Sequence, residues 1–236
     1  MPRRSSVTEE PSPVIALEGL ERRFGDRPAL RGISVTVGEG QTLAVFGSNG
    51  AGKTTLLRVL ATLLRPDAGT VRVLGASLPD EAWKARGRIG FLGHEPLLYP
   101  DLSARDNLLF HARLHGVGAS RVDELLAAVG MAHRARDPVR ELSRGMVQRI
   151  AAARAVLHDP PLLLLDEPRA GLDPAAAEKL DPLIGRASGR TRVLVTHDTE
   201  RGLHEADAVL GLRAGSAVVA GPAAGADAAA IRELYS

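Results

Sequence analysis

The chain has 236 residues, 44% of them apolar and 25% charged, with a formal net charge of +2. That length fits one large α/β domain, and interspersed charge with one Trp, two Tyr and four Phe argues against a basic, base-stacking nucleic-acid surface. There is no cysteine, which removes disulfides and thiolate metal sites, and no apolar run reaches the roughly 18 residues of a membrane span, so work at a bilayer needs a membrane-spanning partner.

Residues 1–13, with Pro2, Pro11 and Pro13 among Ser, Thr and Glu, read as a disordered tail ahead of a domain over 14–222. Residues 14–17 and 33–37 are short strand-like runs, and 42–46 is a continuous apolar run suited to a buried parallel strand. Residues 53–64 carry leucines at helical spacing. Between strand and helix stands Gly47-Ser48-Asn49-Gly50-Ala51-Gly52-Lys53-Thr54, then Thr55, which fits the phosphate-binding pattern G-x-x-x-x-G-K-[ST]. Its glycines let backbone N–H groups turn inward on phosphate oxygens, and the helix N-terminus adds free donors and a favourable dipole. The Arg-rich chain has lysine only at 53, 84 and 179, so a lysine where a compact point charge is needed strengthens the match.

Arg65-Pro66-Asp67-Ala68-Gly69 stops the helix, and 70–74 returns as a β-branched strand; the flanking strands are expected to form an antiparallel layer beside a parallel core. From about 89 to 158 the pattern turns helical, at 106–115, 121–129 and 146–157, and reads as a helical subdomain inserted between core strands. Core runs resume at 162–165, 192–196 and 217–219, and the Ala-rich 223–236 reads as a C-terminal helix. No internal repeat is present, so the chain encodes one nucleotide-binding unit.

Four leucines at 162–165 end in Asp166 and Glu167. Acids at the carboxyl end of a buried strand lie where ligands collect in an open α/β sheet, so Asp166 is placed to hold Mg²⁺ with the Thr54 hydroxyl, and Glu167 to take a proton from an attacking water. Taken alone, the same residues are an apolar strand with a solvated acidic turn. Ser143, in Leu142-Ser143-Arg144-Gly145-Met146, is a good helix N-cap; with the Gly145 amide and the dipole it makes a second anion site, the plain alternative being a capped amphipathic helix.

With these motifs in order, the chain over about 14–219 resembles the ATP-binding-cassette ATPases: Ser143 and Gly145 lie in a run similar to their LSGGQ signature, with Arg144 and Met146 as departures. The resemblance implies an α/β P-loop NTPase core with an antiparallel β layer and an inserted helical subdomain, ATP and Mg²⁺ as ligands, and ATP hydrolysis. It also implies that Phe24 stacks on adenine, that Glu95 ligates Mg²⁺ where the family has Gln, that Ala170-Gly171-Leu172-Asp173 is the D-loop, and that His197 is the switch histidine near the γ-phosphate. In the family the signature covers the nucleotide of the opposite subunit, so a homodimer sandwiching two ATP head to tail is expected, docked through a permease at the cytoplasmic face of the membrane.

The P-loop run, Leu92-Gly93-His94-Glu95-Pro96 and the signature together look like the haem-exporter ATPase of bacterial cytochrome c maturation. An ABC-2-type drug or antibiotic exporter shares most of these features, and a soluble ABC ATPase of iron–sulfur assembly stays open. Haem itself is not expected to bind, since C-x-x-C-H is absent, and a switch GTPase lacks its Asn-Lys-x-Asp motif. His111 and His115 have the spacing of metal ligands but without H-E-x-x-H, and Trp83 and Tyr99 read as packing residues. Residues 97–100 read as local packing of the helical subdomain or as the region that receives the permease.

Overall fold

The computed structural model describes residues 12–235; the expected tail falls outside them except for Ser12 and Pro13. β1 (Ile15–Phe24) and β2 (Arg27–Val37) form an antiparallel pair with one face on the core, so burial comes and goes along each strand. β3 (Thr42–Phe46) is buried at every position, as a strand covered on both faces must be, and it feeds the phosphate loop and α1 (Lys53–Leu60). α1 stops short of the expected Leu64. Thr62 turns left-handed, with φ 61°, and the amides of Thr62 and Leu63 fold back onto the carbonyls of Val59 and Arg58. β4 (Ala68–Val73) and β5 (Ala76–Leu78) complete a four-stranded antiparallel sheet ordered β2-β1-β4-β5, the layer expected beside the core.

After α2 (Ala82–Arg86) comes β6 (Ile89–Leu92), a core strand inside the stretch whose pattern reads as helical. Four residues are too few to show a period, and Gly90 weakens the strand signal. Glycine is required there because a Cβ would lie 2.3 Å from the carbonyl of Ala155. α3 (Ala104–His115), α4 (Ala119–Ala128) and α5 (Arg144–Val156) then bury an apolar cluster of their own against the sheet. β7 (Leu162–Asp166), α6 (Pro174–Ile184), β8 (Thr191–Val195), α7 (Thr199–Glu205), β9 (Ala208–Arg213), β10 (Ser216–Pro222) and α8 (Ala228–Arg232) complete the chain. The second sheet is ordered β10-β9-β3-β8-β7-β6 and is parallel from β9 to β6. That register brings the carboxyl ends of β3, β8, β7 and β6 to one rim, the ligand-collecting edge of such sheets.

Candidate active site

Four loops leave the rim and surround a cleft of about 480 Å³. From β3 the lining residues are Asn49, Gly50, Gly52, Lys53, Thr54 and Thr55; β6 contributes His94, β7 Asp166 and Glu167, and β8 His197. Gly47, Ser48 and Ala51 shape the loop from behind. Gly47 has φ 144° and lies so close to β9 that a Cβ would come 2.3 Å from the Leu212 carbonyl, so only glycine fits. Ser48 accepts a 3.2 Å bond from the Ala51 amide, and Ala51 is buried.

Lys53 Nζ donates to the carbonyls of Gly47 and Ser48, at 2.5 and 3.0 Å, which aims the ammonium along the inside of the loop. Burial lowers its pKa, and the carboxylates of Glu167 and Asp166 oppose that shift. Thr54 Oγ1 donates to Asp166 Oδ2 at 3.0 Å, joining the P-loop helix to the end of β7. A hydroxyl and a carboxylate side by side are the hard oxygen donors Mg²⁺ takes, so these residues fit the ion.

Glu167 is half-buried and left-handed, with φ 49°; its amide donates to the Val195 carbonyl at 3.0 Å, which ties it to β8. Its Oε1 is buried without a hydrogen-bond partner and lies 3.4 Å from His197 Nε2. Burial, and then the charge of Asp166, push the carboxyl up to about 7. A carboxylate tuned near neutrality is suited to take a proton. His197 is itself kept below its ordinary value by burial and by Lys53. Its ring lies 5.3 Å from the Tyr235 ring, and Tyr235 donates its hydroxyl to the Thr196 carbonyl at 3.0 Å.

Other expected site residues stand outside the cleft. Glu95 and His94 are both exposed, but the residue of this loop that lines the cleft is His94, one residue earlier. Phe24 is 48% exposed with the Arg22 guanidinium 5.0 Å from its ring centre, and it does not line the cleft. Ser143 caps α5, accepting from the Met146 amide at 3.3 Å, and Gly145 packs where a Cβ would meet the Gly171 carbonyl at 3.2 Å. Neither reaches the cleft of its own chain. Gln148 of α5 donates to the Pro168 carbonyl at 3.2 Å, so the capped helix braces the loop after Glu167. His94, Gln148 and Tyr235 were not singled out by sequence: the first is a one-residue ambiguity beside Glu95, and the other two act at a distance that leaves no local signal. Trp83 is corrected as a packing residue, being 71% exposed beside Lys84.

The family described as ABC transporter matches residues 30–170. This chain belongs to that family, as its ATPase cassette. It is 45% identical to the daunorubicin resistance ATP-binding protein DrrA3 of Streptomyces coeruleorubidus, over 77% of this chain and 59% of that protein. It is 40% identical to the Nod factor export ATP-binding protein I of Ralstonia nicotianae, over 80% of this chain and 61% of the relative. The chain thus spans about three-fifths of the length of these relatives. The ATP-binding cassette MJ0796, solved as a dimer in a post-hydrolysis state with ADP and Pi, superposes with a TM-score of 0.80 at 27% identity, covering 89% of this chain and 98% of that one. These likenesses bear out the ABC ATPase fold expected from sequence.

Proposed function

We propose that this chain is the ATP-hydrolysing subunit of a small-molecule exporter, working as a head-to-tail dimer beneath a membrane-spanning permease at the cytoplasmic face. The observation that carries the ATP-hydrolysing part is the meeting of Lys53, Thr54, Asp166, Glu167 and His197 in one cleft, and the exporter part is supported by the relatives. The P-loop amides and Lys53 bind the phosphates, Thr54 and Asp166 would hold Mg²⁺, Glu167 takes the proton of the attacking water, and His197 orients the γ-phosphate side. Mg²⁺, when bound, neutralises phosphate charge. Asn49 to Thr55 cradle the nucleotide, Phe24 takes the adenine, and Ser143 and Gly145 serve the partner's ATP, which agrees with their place outside their own cleft. Residues 14–222 form this ATPase domain.

Among the described residues no helix is long and apolar enough to cross a membrane. Leu97, Tyr99, Leu102, Phe110 and Leu114 are exposed, and Tyr99 packs edge-on against Phe110 at 5.4 Å. Asn107, fully buried, accepts from the Tyr99 amide at 2.7 Å and donates to its carbonyl at 3.0 Å, so this apolar platform is rigid and suited to a permease helix. The drug-resistance and Nod-factor names of the relatives favour the drug-exporter reading over haem export. The test has two arms. Purified chain should hydrolyse Mg-ATP, and Glu167→Gln should cut turnover roughly 10²- to 10⁴-fold while ATP now holds a dimer in light scattering. In the native host, deletion should sensitise cells to amphipathic drugs while c-type cytochrome content stays normal; lost cytochromes with unchanged drug resistance reverse the choice.

A further inference from the structure

We infer that Arg169 is a positioning residue: it clamps the loop carrying Glu167 onto α7, the helix that follows His197, and so holds these two groups in register for ATP hydrolysis. The inference rests on the site reading above.

Arg169 lies just beyond Glu167 and Pro168. Its Nη1 donates to Glu205 Oε1 at 2.6 Å, its Nε to Asp181 Oδ1 at 3.2 Å, and its Nη2 also bonds Asp181. Glu205 ends α7, whose N-cap is Asp198, the neighbour of His197. The second Glu205 oxygen accepts from Arg192 Nη1 at 2.8 Å; Arg192 is 1% exposed and also donates to Thr42 Oγ1 at 2.9 Å, at the start of β3. Arg201 reaches both Asp181 Oδ2 and Glu205 Oε1 at 3.3 Å. Charge balance therefore does not require Arg169: without it Glu205 keeps Arg192 and Arg201, and Asp181 keeps Arg201. Arg192 belongs to β8, Asp181 to α6, and Arg201 and Glu205 to α7, whereas Arg169 comes from the loop after β7. Its distinct effect is mechanical. Glu167 needs such a hold, being a non-glycine residue in a left-handed conformation: the Ala170 and Leu172 amides close turns onto the Glu167 and Arg169 carbonyls within the loop, and the bonds at the Val195 and Pro168 carbonyls tie it to β8 and α5, not to α7.

The test compares Arg169→Met, Arg169→Lys and Glu167→Gln in the full chain, measuring kcat and KM for Mg-ATP, affinity for a fluorescent ATP analogue, and melting temperature. Arg169→Met should lower kcat on the order of 10- to 100-fold with KM and affinity unchanged, as misplacement of a reacting group does, and Arg169→Lys should recover part of the loss. Added to Glu167→Gln, it should cost little further, because the register it holds has lost its carboxylate member. Normal kcat in Arg169→Met, or a loss that multiplies with that of Glu167→Gln, overturns the inference while the site reading stands. Normal turnover in Glu167→Gln removes both. Should Arg169→Met not fold, Arg169→Lys decides: a lower kcat at constant KM supports the clamp, and a normal kcat ends it.

Discussion

Glu167 Oε1 and His197 Nε2 stand 3.4 Å apart, the first just beyond β7 and the second just beyond β8. Neighbouring parallel strands make that meeting automatic: pairing Asp166 with Val195 fixes where the next residues emerge. What the pairing does not supply is solvation. The carboxyl is half-buried beside the charge of Asp166, and both effects favour its protonated form.

The tuned carboxyl carries a stability cost in metal-free, nucleotide-free protein. With a folded-state pKa near 7 and an ordinary value of 4.5, the folded state binds the proton more tightly, so stability declines as pH rises from 4.5 to about 7. Glu167→Gln removes the charge and should raise stability at pH 8 by about 1–3 kcal/mol, with little gain at pH 4. Melting curves at both pH values check this, and equal gains at the two would refute the desolvation account.

The phosphate loop, Asp166 with Thr54, Glu167, and the N-cap at Ser143 were legible because each depends on a short contiguous pattern. Elements whose signal is tertiary were not. β6 is short and holds Gly90 because of α5, while α6 carries Pro182 within it. β9 is a short apolar run broken by Gly211, which faces Leu234 and Val219. The ion cluster around Glu205 joins α6, α7, β8 and a loop, so no sequence window contains it.

The loop after β6 separates two adjacent residues. Because His94 faces the cleft and Glu95 faces solvent, His94→Ala should lower ATP turnover roughly 10-fold or more, whereas Glu95→Ala should stay within about twofold of the parent. Steady-state kinetics on the two variants decide it. The reverse ranking would return the metal-facing role to Glu95.

Tyr235 braces the histidine loop from behind. Its hydroxyl bonds the Thr196 carbonyl, and its ring lies against His197, while Ile231 and Leu234 anchor the same segment on Phe46 and Val209. Tyr235→Phe deletes one hydrogen bond and should cost about 0.5–1.5 kcal/mol of stability, with kcat reduced severalfold at constant KM. Denaturant unfolding and turnover measured together test it; a stability loss with unchanged kcat leaves Tyr235 a packing residue only.

A histidine cluster lies at the seam between α3 and the end of α5, and it should make the fold sensitive to acid. His115 stacks on His158 at 4.0 Å, and both ring nitrogens of His158 and Nε2 of His111 are buried without partners. Burial holds His111 and His158 down at about 4; nearby Arg154 adds to the effect at His111, and His115 adds to it at His158. Arg154 cannot swing away, because its Nη2 donates to the Phe91 carbonyl at 2.6 Å. The unfolded chain takes up these protons near 6.5 and the folded chain only near 4, so stability is intact above 6.5 and falls as pH drops through that window. Each histidine contributes at most about 1.4 kcal/mol per pH unit. Urea unfolding between pH 7.5 and 4.5 should show the decline, and His158→Leu should flatten it by removing one proton acceptor from the unfolded state. An unchanged slope in that variant places the acid sensitivity elsewhere, with Glu205 the first candidate, since against the effect of burial Arg192 and Arg169 hold its carboxyl below the ordinary value.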